Sequence, residues 1–213
     1  MTRGRFIAFE GGEGAGKSTQ ARLLAQALEA RGVAAVITRE PGGTPGAEAI
    51  RALLLGTEGD GWNARAEALL FAAARSDHVD RLIRPMLERG DWVICDRFVD
   101  SSRAYQGGGG GLSDADLLEL HRIGSQGLLP DLTVLIEVAP ETAAQRLAAR
   151  DGDSVDRIGG RGAGYHTAVA QAFARIAETE PHRFARVDGN AGAREVHAKV
   201  IAAIDAWQGA GRC

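Results

Sequence analysis

The hydrophobic positions of this 213-residue chain alternate between short apolar runs and longer stretches with helical spacing. The apolar runs predict five β-strands, at residues 5–10, 33–38, 92–95, 132–138 and 184–187. The helical spacing predicts helices at residues 17–31, 63–89 and 113–126, and a C-terminal helix with its apolar stripe at Val196, Val200, Ile201, Ile204 and Trp207. Strands that alternate with helices indicate an α/β fold, in which a parallel five-stranded sheet carries helices on both faces.

In such a sheet, ligands bind beyond the carboxyl ends of the strands, so the residues that follow each strand matter most. The sequence shows no internal repeat and no sign of a second domain, and residues 1–213 are therefore predicted to form a single domain. Two glycine-dense segments, residues 107–111 and 151–164, are interpreted as mobile, with ordinary surface loops as the alternative.

Composition and charge narrow the class of protein. Hydrophobic residues make up 45% of the chain, and no run approaches the roughly 20 apolar residues that span a bilayer. A net charge of -3 provides no overall basic field for nucleic acid or an anionic membrane. Cys95 and Cys213 are too few for a disulfide framework, and glycine and glutamate follow too early at the N-terminus for a signal peptide. We expect a reduced, cytoplasmic protein without nucleic-acid or membrane partners.

Residues 11–18 match the phosphate-binding pattern G-x-x-x-x-G-K-[ST], between a predicted strand and a predicted helix. Backbone N–H groups of such a loop wrap phosphate oxygens, and the start of the helix adds partial positive charge. Lys17 is placed to reach the β- and γ-phosphates, and the Ser18 hydroxyl is placed to bind Mg²⁺. Lys17 is also one of only two lysines, beside 23 arginines, which argues against a glycine-rich turn with an incidental lysine.

A magnesium ion at this loop needs a carboxylate that follows a neighbouring strand. Asp96 closes the apolar run 92–95 and is the best candidate, although it could instead be a helix cap or a turn residue. Glu137 lies within the fourth strand and is the weaker candidate.

A phosphate-binding loop alone does not separate kinases from GTP switches, ATPase motors or binding modules. A GTP switch needs N-K-x-D, but both asparagines, Asn63 and Asn190, are followed by alanine. A motor ATPase would more often have further domains, so a small-molecule kinase fits the length best. We expect ATP to be bound by Gly11, Gly12, Glu13, Gly14, Ala15, Gly16, Lys17, Ser18, Thr19 and Arg150.

The arginines suggest an acceptor that already carries a phosphate. A phosphate acceptor is ionised at neutral pH and needs no general base, but it needs cations that hold two anions in line. Arg39 and Arg97 follow the second and third strands, and further arginines lie in the segment after the fourth: Arg150, Arg157 and Arg161. The alternative for each is a solvated surface arginine.

These residues resemble the thymidylate kinase family, from Phe6 to about Asp188. The resemblance rests on F-I-A-F-E-G-G-E-G-A-G-K-S-T-Q at 6–20, T-R-E-P-G-G-T at 38–44, E-A-I-R at 48–51, L-L-F-A-A-A-R-S-D-H-V at 69–79, D-R-F-V-D-S-S-R-A-Y-Q-G at 96–107, P-D-L-T-V-L at 130–135 and D-R-I at 156–158. It implies a P-loop NTPase fold of the nucleoside monophosphate kinase type, with a mobile lid at about residues 150–164. It also implies phosphorylation of dTMP to dTDP with ATP and Mg²⁺ in dTTP synthesis, by a homodimer.

The resemblance also implies roles for single residues. Glu13 resembles the loop carboxylate that faces the acceptor sugar, and Tyr105 the ring that crowds the 2′ position of the sugar. Arg39 and Arg97 resemble the arginines that clamp the acceptor phosphate, and Arg51 matches another arginine of the acceptor pocket. On the base side, the resemblance assigns four residues: Phe71 (stacking on thymine), Arg75 (donating to O4), Ser102 and Gln106.

Some family members carry a catalytic arginine in the phosphate-binding loop, where this chain has Gly14. The resemblance then assigns that role to the lid and to Arg157, beside Lys17, Arg97 and Glu13. The lid departs from the family because glycines and Arg161 follow Arg157 where an acidic residue is usual, so either arginine remains a candidate. A kinase for another nucleoside monophosphate and a non-catalytic nucleotide-binding module also remain alternatives.

Overall fold

The computed structural model of the protein describes residues 3–57, 61–151 and 159–210. Its centre is a sheet of five parallel strands: β1 Phe6–Glu10, β2 Ala35–Arg39, β3 Trp92–Asp96, β4 Leu132–Glu137 and β5 Phe184–Asp188. The strand order is β2-β3-β1-β4-β5, so the parallel five-stranded sheet predicted from the sequence is confirmed.

The strand order determines where a ligand can bind. β1 lies between β3 and β4, so the segment after β1 emerges beside the ends of both neighbours. Arg39 and Asp96 are the last residues of β2 and β3 and pair with each other in the sheet, whereas the sequence pattern had ended both strands one residue earlier. The carboxyl ends therefore bring the phosphate-binding loop, Arg39 and Asp96 to one edge of the sheet.

Helices surround the sheet: α1 Lys17–Ala30, α2 Pro45–Gly56, α3 Ala64–His78, α4 Arg84–Glu88, α5 Val99–Ser102, α6 Asp114–Ser125, α7 Pro140–Asp151, α8 Ala163–Thr179 and α9 Ala193–Ala210. The predicted helix at 63–89 is present as α3, a π-helical segment Val79–Ile83, and α4. Pro85 has no N–H to donate to the carbonyl of Arg81, and a change of helical pitch accommodates that loss. The sequence pattern did not predict α2, α7 or α8.

Alternate residues of β1 face opposite layers of the core, as the two-residue period of a strand requires. Ile7 and Phe9 pack with α1 and α9, whereas Phe6 and Ala8 pack against the π-helical segment and the start of α5. All five residues of β1 are buried, so helices cover both faces of the sheet at its centre.

The glycine-dense segment at 107–111 corrects a prediction. Residues 107–109 belong to a second π-helical segment, Arg103–Gly109, that packs against α8 rather than forming a mobile loop. A Cβ on Gly108 would lie 2.4 Å from the Cβ of Ala172, and one on Gly109 would lie 2.4 Å from the ring of Tyr165. These glycines therefore allow a close approach of two helices. In the other glycine-dense segment, residues 152–158 lie outside the described residues.

A buried ion network lies behind this segment. Asp100 is fully buried and accepts hydrogen bonds from both terminal nitrogens of Arg183, at 2.7 Å each, and one from Arg103 at 3.1 Å. Arg183 ends the short 3₁₀ turn Pro181–Arg183 before β5. The network thus joins α5 to the edge of the sheet.

Of the helices within the described ranges, none has both the length and the apolar character that crossing a bilayer requires.

The ion network gives a stability prediction. Asp100→Asn should lower the free energy of unfolding by about 3 kcal/mol, because it removes the fully buried charge that Arg103 and Arg183 share and leaves Glu180 as their remaining shared counter-charge. Asp205→Asn is the matched control: it removes the exposed ion pair with Arg31 and should cost about 0.5 kcal/mol or less. Urea unfolding measures both, and equal losses for the two variants would contradict the assignment.

Candidate active site

A cavity of about 640 Å³ opens at the carboxyl edge of the sheet. Its walls come from the loop after β1, the start of α1, the ends of β2 and β3, the helices α2, α3, α5 and α7, and the second π-helical segment. Most of the residues predicted for the site line it: Glu13, Gly14, Gly16, Lys17, Ser18, Thr19, Arg39, Arg51, Phe71, Arg75, Asp96, Arg97, Ser102, Tyr105 and Gln106. The fold therefore collects side chains from distant segments around one space.

The phosphate-binding loop holds Lys17 at the base of the cavity. Lys17 is the first residue of α1 and is buried, and its Nζ donates to the carbonyl oxygens of Gly11 at 3.1 Å and Gly12 at 2.7 Å. Burial, with a smaller contribution from the nearby Arg97, lowers the pKa of Lys17 to about 8. An anion in the cradle would offset both effects.

Ser18 and Asp96 are joined directly, because the Ser18 hydroxyl donates a hydrogen bond to Oδ2 of Asp96. The pair brings two oxygen ligands together beside the phosphate cradle, which is the ligand chemistry that Mg²⁺ prefers. Within residues 3–57, 61–151 and 159–210, no cluster of three or more His, Cys, Asp or Glu side chains is arranged for a metal ion. The pair fits a magnesium ion that takes its other ligands from phosphate and water.

Arg97 occupies the centre of the cavity in an uncommon backbone conformation. Its φ is 72°, in the left-handed region that non-glycine residues rarely adopt, and its N–H donates to the carbonyl of Phe9 at 2.9 Å. The guanidinium donates to Oε1 of Glu13 at 2.5 Å and to the hydroxyl of Tyr105 at 3.0 Å. The hydroxyl of Tyr105 also donates to Glu13 at 3.1 Å, so the three side chains join the phosphate-binding loop to the second π-helical segment.

Glu10, which the sequence patterns did not single out, supports Arg97 from behind. It is fully buried at the end of β1 and accepts hydrogen bonds from the backbone of Phe98 at 2.8 Å and of Ser101 at 3.0 Å. The Ser101 hydroxyl donates to Glu10 at 2.6 Å and accepts from Arg97 at 3.1 Å. Burial, and then the nearby Asp100, raises the pKa of Glu10 to about 7. In the sequence, the feature that could have identified Glu10 was its position as a carboxylate directly after four apolar strand residues.

A second buried arginine forms the far end of the cavity. Nε of Arg75 donates to Oε2 of Glu40 at 2.6 Å, and its Nη2 donates to the Ser102 hydroxyl at 2.9 Å. Glu40 also contacts Nδ1 of His78 at 3.1 Å, and its pKa is lowered by Arg75 and His78 although burial opposes this. Phe71 lies on the same helix as Arg75 and lines the cavity. The sequence patterns had not assigned a role to Glu40.

Gln106 lines the cavity and belongs to a chain of polar contacts. Its Nε2 donates to Oε1 of Glu67 at 2.8 Å, and Arg161 donates to Oε2 of Glu67 at 2.6 Å. Arg161 also donates to the hydroxyl of Tyr165 at 2.5 Å. Arg161, which was a candidate for the transferring phosphate, is therefore paired with the carboxylate that also binds Gln106.

The remaining predicted cations have different environments. Arg39 has 57% of its side chain exposed and donates to Glu48 at 3.1 Å, while Arg51 donates to the carbonyl of Pro41 at 2.8 Å. Arg157 lies outside the described residues, and so does the side chain of Arg150.

Arg146 of α7 was not predicted, yet it lines the cavity beside the phosphate-binding loop. It donates to the carbonyls of Gly189 at 2.8 Å and Ala191 at 2.9 Å, and so fixes the loop after β5 against α7. Nothing in its sequence context distinguished it from its neighbours.

A phosphate cradle, a pair of oxygen ligands and a facing wall of arginines, at the carboxyl edge of a parallel sheet, define the class of the protein as a P-loop kinase. Comparison with known proteins identifies the family within this class. The family model described as thymidylate kinase matches residues 9–200. The chain belongs to the thymidylate kinase family.

Individual relatives agree with this assignment. A thymidylate kinase of Rhizorhabdus wittichii is 56% identical over 94% of this chain and 97% of its own length. One from Nitrobacter winogradskyi is 49% identical over 95% of this chain and 88% of its own length. A crystal structure of thymidylate kinase from Ehrlichia chaffeensis superposes with a TM-score of 0.77 at 33% identity, and covers 95% of this chain and 99% of the other.

The lowered pKa of Lys17 predicts that ATP binding takes up a proton. In the protein without nucleotide, the side chain of Lys17 is about half protonated at pH 8. The phosphates of the nucleotide favour its charged form, so ATP binding should take up about half a proton. Titration calorimetry at pH 8, in buffers with different ionisation enthalpies, measures the uptake. Lys17→Met should abolish it, and an equal uptake by that variant would contradict the assignment to Lys17.

Proposed function

We propose that the chain transfers the γ-phosphoryl group of ATP to dTMP within this cavity, with the phosphate-binding loop as donor site and the wall of arginines as acceptor site. As a member of its family, it is an ATP- and Mg²⁺-dependent enzyme that phosphorylates dTMP to dTDP. The observation that carries the assignment of roles is the position of Arg97, which contacts both the loop carboxylate Glu13 and the acceptor wall at Tyr105.

The donor site is proposed to consist of residues 11–19. The backbone N–H groups of the loop bind the β- and γ-phosphates, and the ammonium of Lys17 neutralises their oxygens. Ser18 and Asp96 would hold Mg²⁺, which supplies further positive charge to the phosphates when it is bound. Arg150 is proposed to contact ATP from the end of α7.

The acceptor phosphate is proposed to bind between Arg97 and Arg39, with Arg51 as a further arginine of the acceptor pocket. Its second pKa is near 6, so it is a competent nucleophile at neutral pH without a general base. The guanidinium groups hold it in line with the γ-phosphate against the repulsion of the two anions. Glu13 orients Arg97 for this contact and faces the acceptor sugar.

The acceptor base is proposed to stack on Phe71, with Arg75 donating to O4. Glu40 binds Nε of Arg75 and so fixes the direction of its remaining donors. Ser102 and Gln106 line the same pocket, and the ring of Tyr105 would crowd a 2′-hydroxyl, which favours deoxyribose.

Gly14 supports the proposal that this chain lacks a catalytic arginine in the phosphate-binding loop. Its φ is +71°, and a Cβ at this position would lie 2.6 Å from the carbonyl oxygen of Ala143 in α7. The transition-state cation is therefore proposed to come from the lid. Arg157 is the candidate, because Arg161 is bound to Glu67.

A homodimer is supported by exposed apolar side chains on three adjacent helices. Leu53 of α2, Leu69 of α3 and Ile123 of α6 are 51%, 56% and 66% exposed. α3 packs against both α2 and α6, and we propose that a second copy of the chain covers these three exposed side chains. We propose this assembly for a cytoplasmic enzyme of one domain.

The acceptor specificity tests the proposed function. The donors of Arg75 match O4 of thymine and uracil but meet an amino donor in cytosine. We expect dTMP to be phosphorylated well, dUMP less well because methyl packing is lost, and dCMP hardly at all. A coupled ADP-release assay over these monophosphates measures kcat/KM, and comparable values for dCMP and dTMP would contradict the base assignment.

The proposed role of Arg157 predicts a selective loss of turnover. Arg157→Ala should lower kcat by about 10²-fold or more, the scale of an arginine finger, with the KM for dTMP changed only a few-fold. Arg161→Ala is the comparison, and its loss of kcat should be much smaller because the side chain binds Glu67. Single-turnover kinetics decides between them, since a larger loss of chemistry in Arg161→Ala reverses the assignment.

A further inference from the structure

We propose that Glu67 and Arg161 determine which base the acceptor site accepts, by holding the amide of Gln106 so that its carbonyl oxygen is presented to the N3–H of the pyrimidine. Neither Glu67 nor Arg161 needs to touch the substrate for this, so both are positioning residues. The inference rests on the proposed function, because it refines the base pocket of that same site.

The direction of the Gln106 amide follows from the chemistry of its partner. Glu67 has 1% of its side chain exposed, and a carboxylate that is ionised only accepts hydrogen bonds. The amide nitrogen of Gln106 lies 2.8 Å from Oε1 of Glu67. Turning the amide over would place two acceptors in contact, so the nitrogen stays on Glu67. Gln106 lines the cavity whereas Glu67 does not, which leaves the carbonyl oxygen as the group for a ligand.

The ionised state of Glu67 is supported by Arg161. A buried carboxylate is costly unless a cation and hydrogen bonds compensate it, and Nη2 of Arg161 lies 2.6 Å from Oε2 of Glu67. The guanidinium also lies over the ring of Tyr165, with 4.6 Å between its carbon and the ring centre.

Tyr165 connects this pair to the acceptor wall. Its hydroxyl accepts from Arg161 at 2.5 Å and donates to the backbone carbonyl of Tyr105 at 3.0 Å. Its ring occupies the space that a side chain at position 109 would need, so Gly109 allows the approach. Arg161 is thereby fixed to the segment that carries Gln106.

Together with Arg75, an oriented Gln106 provides a two-point reading of the base. Thymine and uracil present an acceptor at C4 and an N–H at N3, whereas cytosine presents a donor at C4 and a bare nitrogen at N3. Arg75 offers donors at the first position, and the carbonyl of Gln106 offers an acceptor at the second. Cytosine would oppose both, and each mismatch leaves a buried polar group without a partner.

Glu67→Gln tests the proposal with almost no change of shape. Arg161 only donates and so would keep the oxygen of the new amide, which places the new nitrogen against Gln106 and favours the turned-over amide of Gln106. We expect the KM for dTMP to rise about tenfold with kcat within about threefold, and the ratio of kcat/KM for dTMP over dCMP to fall about tenfold. Arg161→Gln should change the ratio in the same direction by about threefold, and Asp205→Asn, far from the cavity, should leave it unchanged.

A double-mutant cycle separates orientation from general damage. Gln106→Ala removes the group that is proposed to be oriented, so adding Glu67→Gln in that background should change the ratio no further. An additive effect would overturn the proposal, as would an unchanged ratio in Glu67→Gln. Thermal unfolding shows whether Glu67→Gln is folded. If it is not, Arg161→Gln replaces it in the test, and an unchanged ratio in Arg161→Gln overturns the proposal. Failure of the proposed function would appear separately, as a wild-type enzyme that does not phosphorylate dTMP.

Discussion

The geometry of the cavity depends on the hydrogen bonds that the guanidinium of Arg97 makes. The guanidinium binds Glu13 in the phosphate-binding loop and the hydroxyl of Tyr105 in the second π-helical segment, and that hydroxyl also donates to Glu13 at 3.1 Å. The left-handed backbone at Arg97 costs about 1–3 kcal/mol, and persists because β1 and Glu10 bind the residues around it. These three side chains therefore join the proposed donor site to the proposed acceptor site.

A common arrangement surrounds this contact. Four arginines in or next to the proposed acceptor site have a carboxylate partner: Arg97 has Glu13, Arg75 has Glu40, Arg39 has Glu48 and Arg161 has Glu67. Each carboxylate binds some of the N–H groups of its arginine and so fixes the direction of the remaining N–H groups. The remaining N–H groups are therefore oriented toward anions and carbonyl groups before a ligand binds. The more deeply buried pairs lie at the base end of the cavity and the exposed pair, Arg39 with Glu48, at its opening, so the most rigid part of the wall is the part proposed to read the base.

The phosphate-binding loop and the strands could be predicted from the sequence because their determinants are local. A strand is a short apolar run, and the loop is a contiguous motif with Lys17 at a fixed place. Glu10 and Glu40 were missed because their partners are distant in the chain: Glu10 binds Ser101, 91 residues away, and Glu40 binds Arg75, 35 residues away. The glycines at 107–111 were misinterpreted because close packing against α8 and a mobile loop require the same residue, and only the tertiary contact distinguishes them.

The proposed transfer of the phosphoryl group therefore requires a planar guanidinium at position 97 that contacts both the ATP site and the dTMP site. Arg97→Lys keeps the charge but cannot bind two partners in the fixed geometry of a guanidinium. The most direct test is the single-turnover rate of phosphoryl transfer in this variant at saturating ATP and dTMP. The account predicts a rate lowered about 10²-fold with ATP affinity changed only a few-fold. A rate within about threefold of the wild-type value would contradict it.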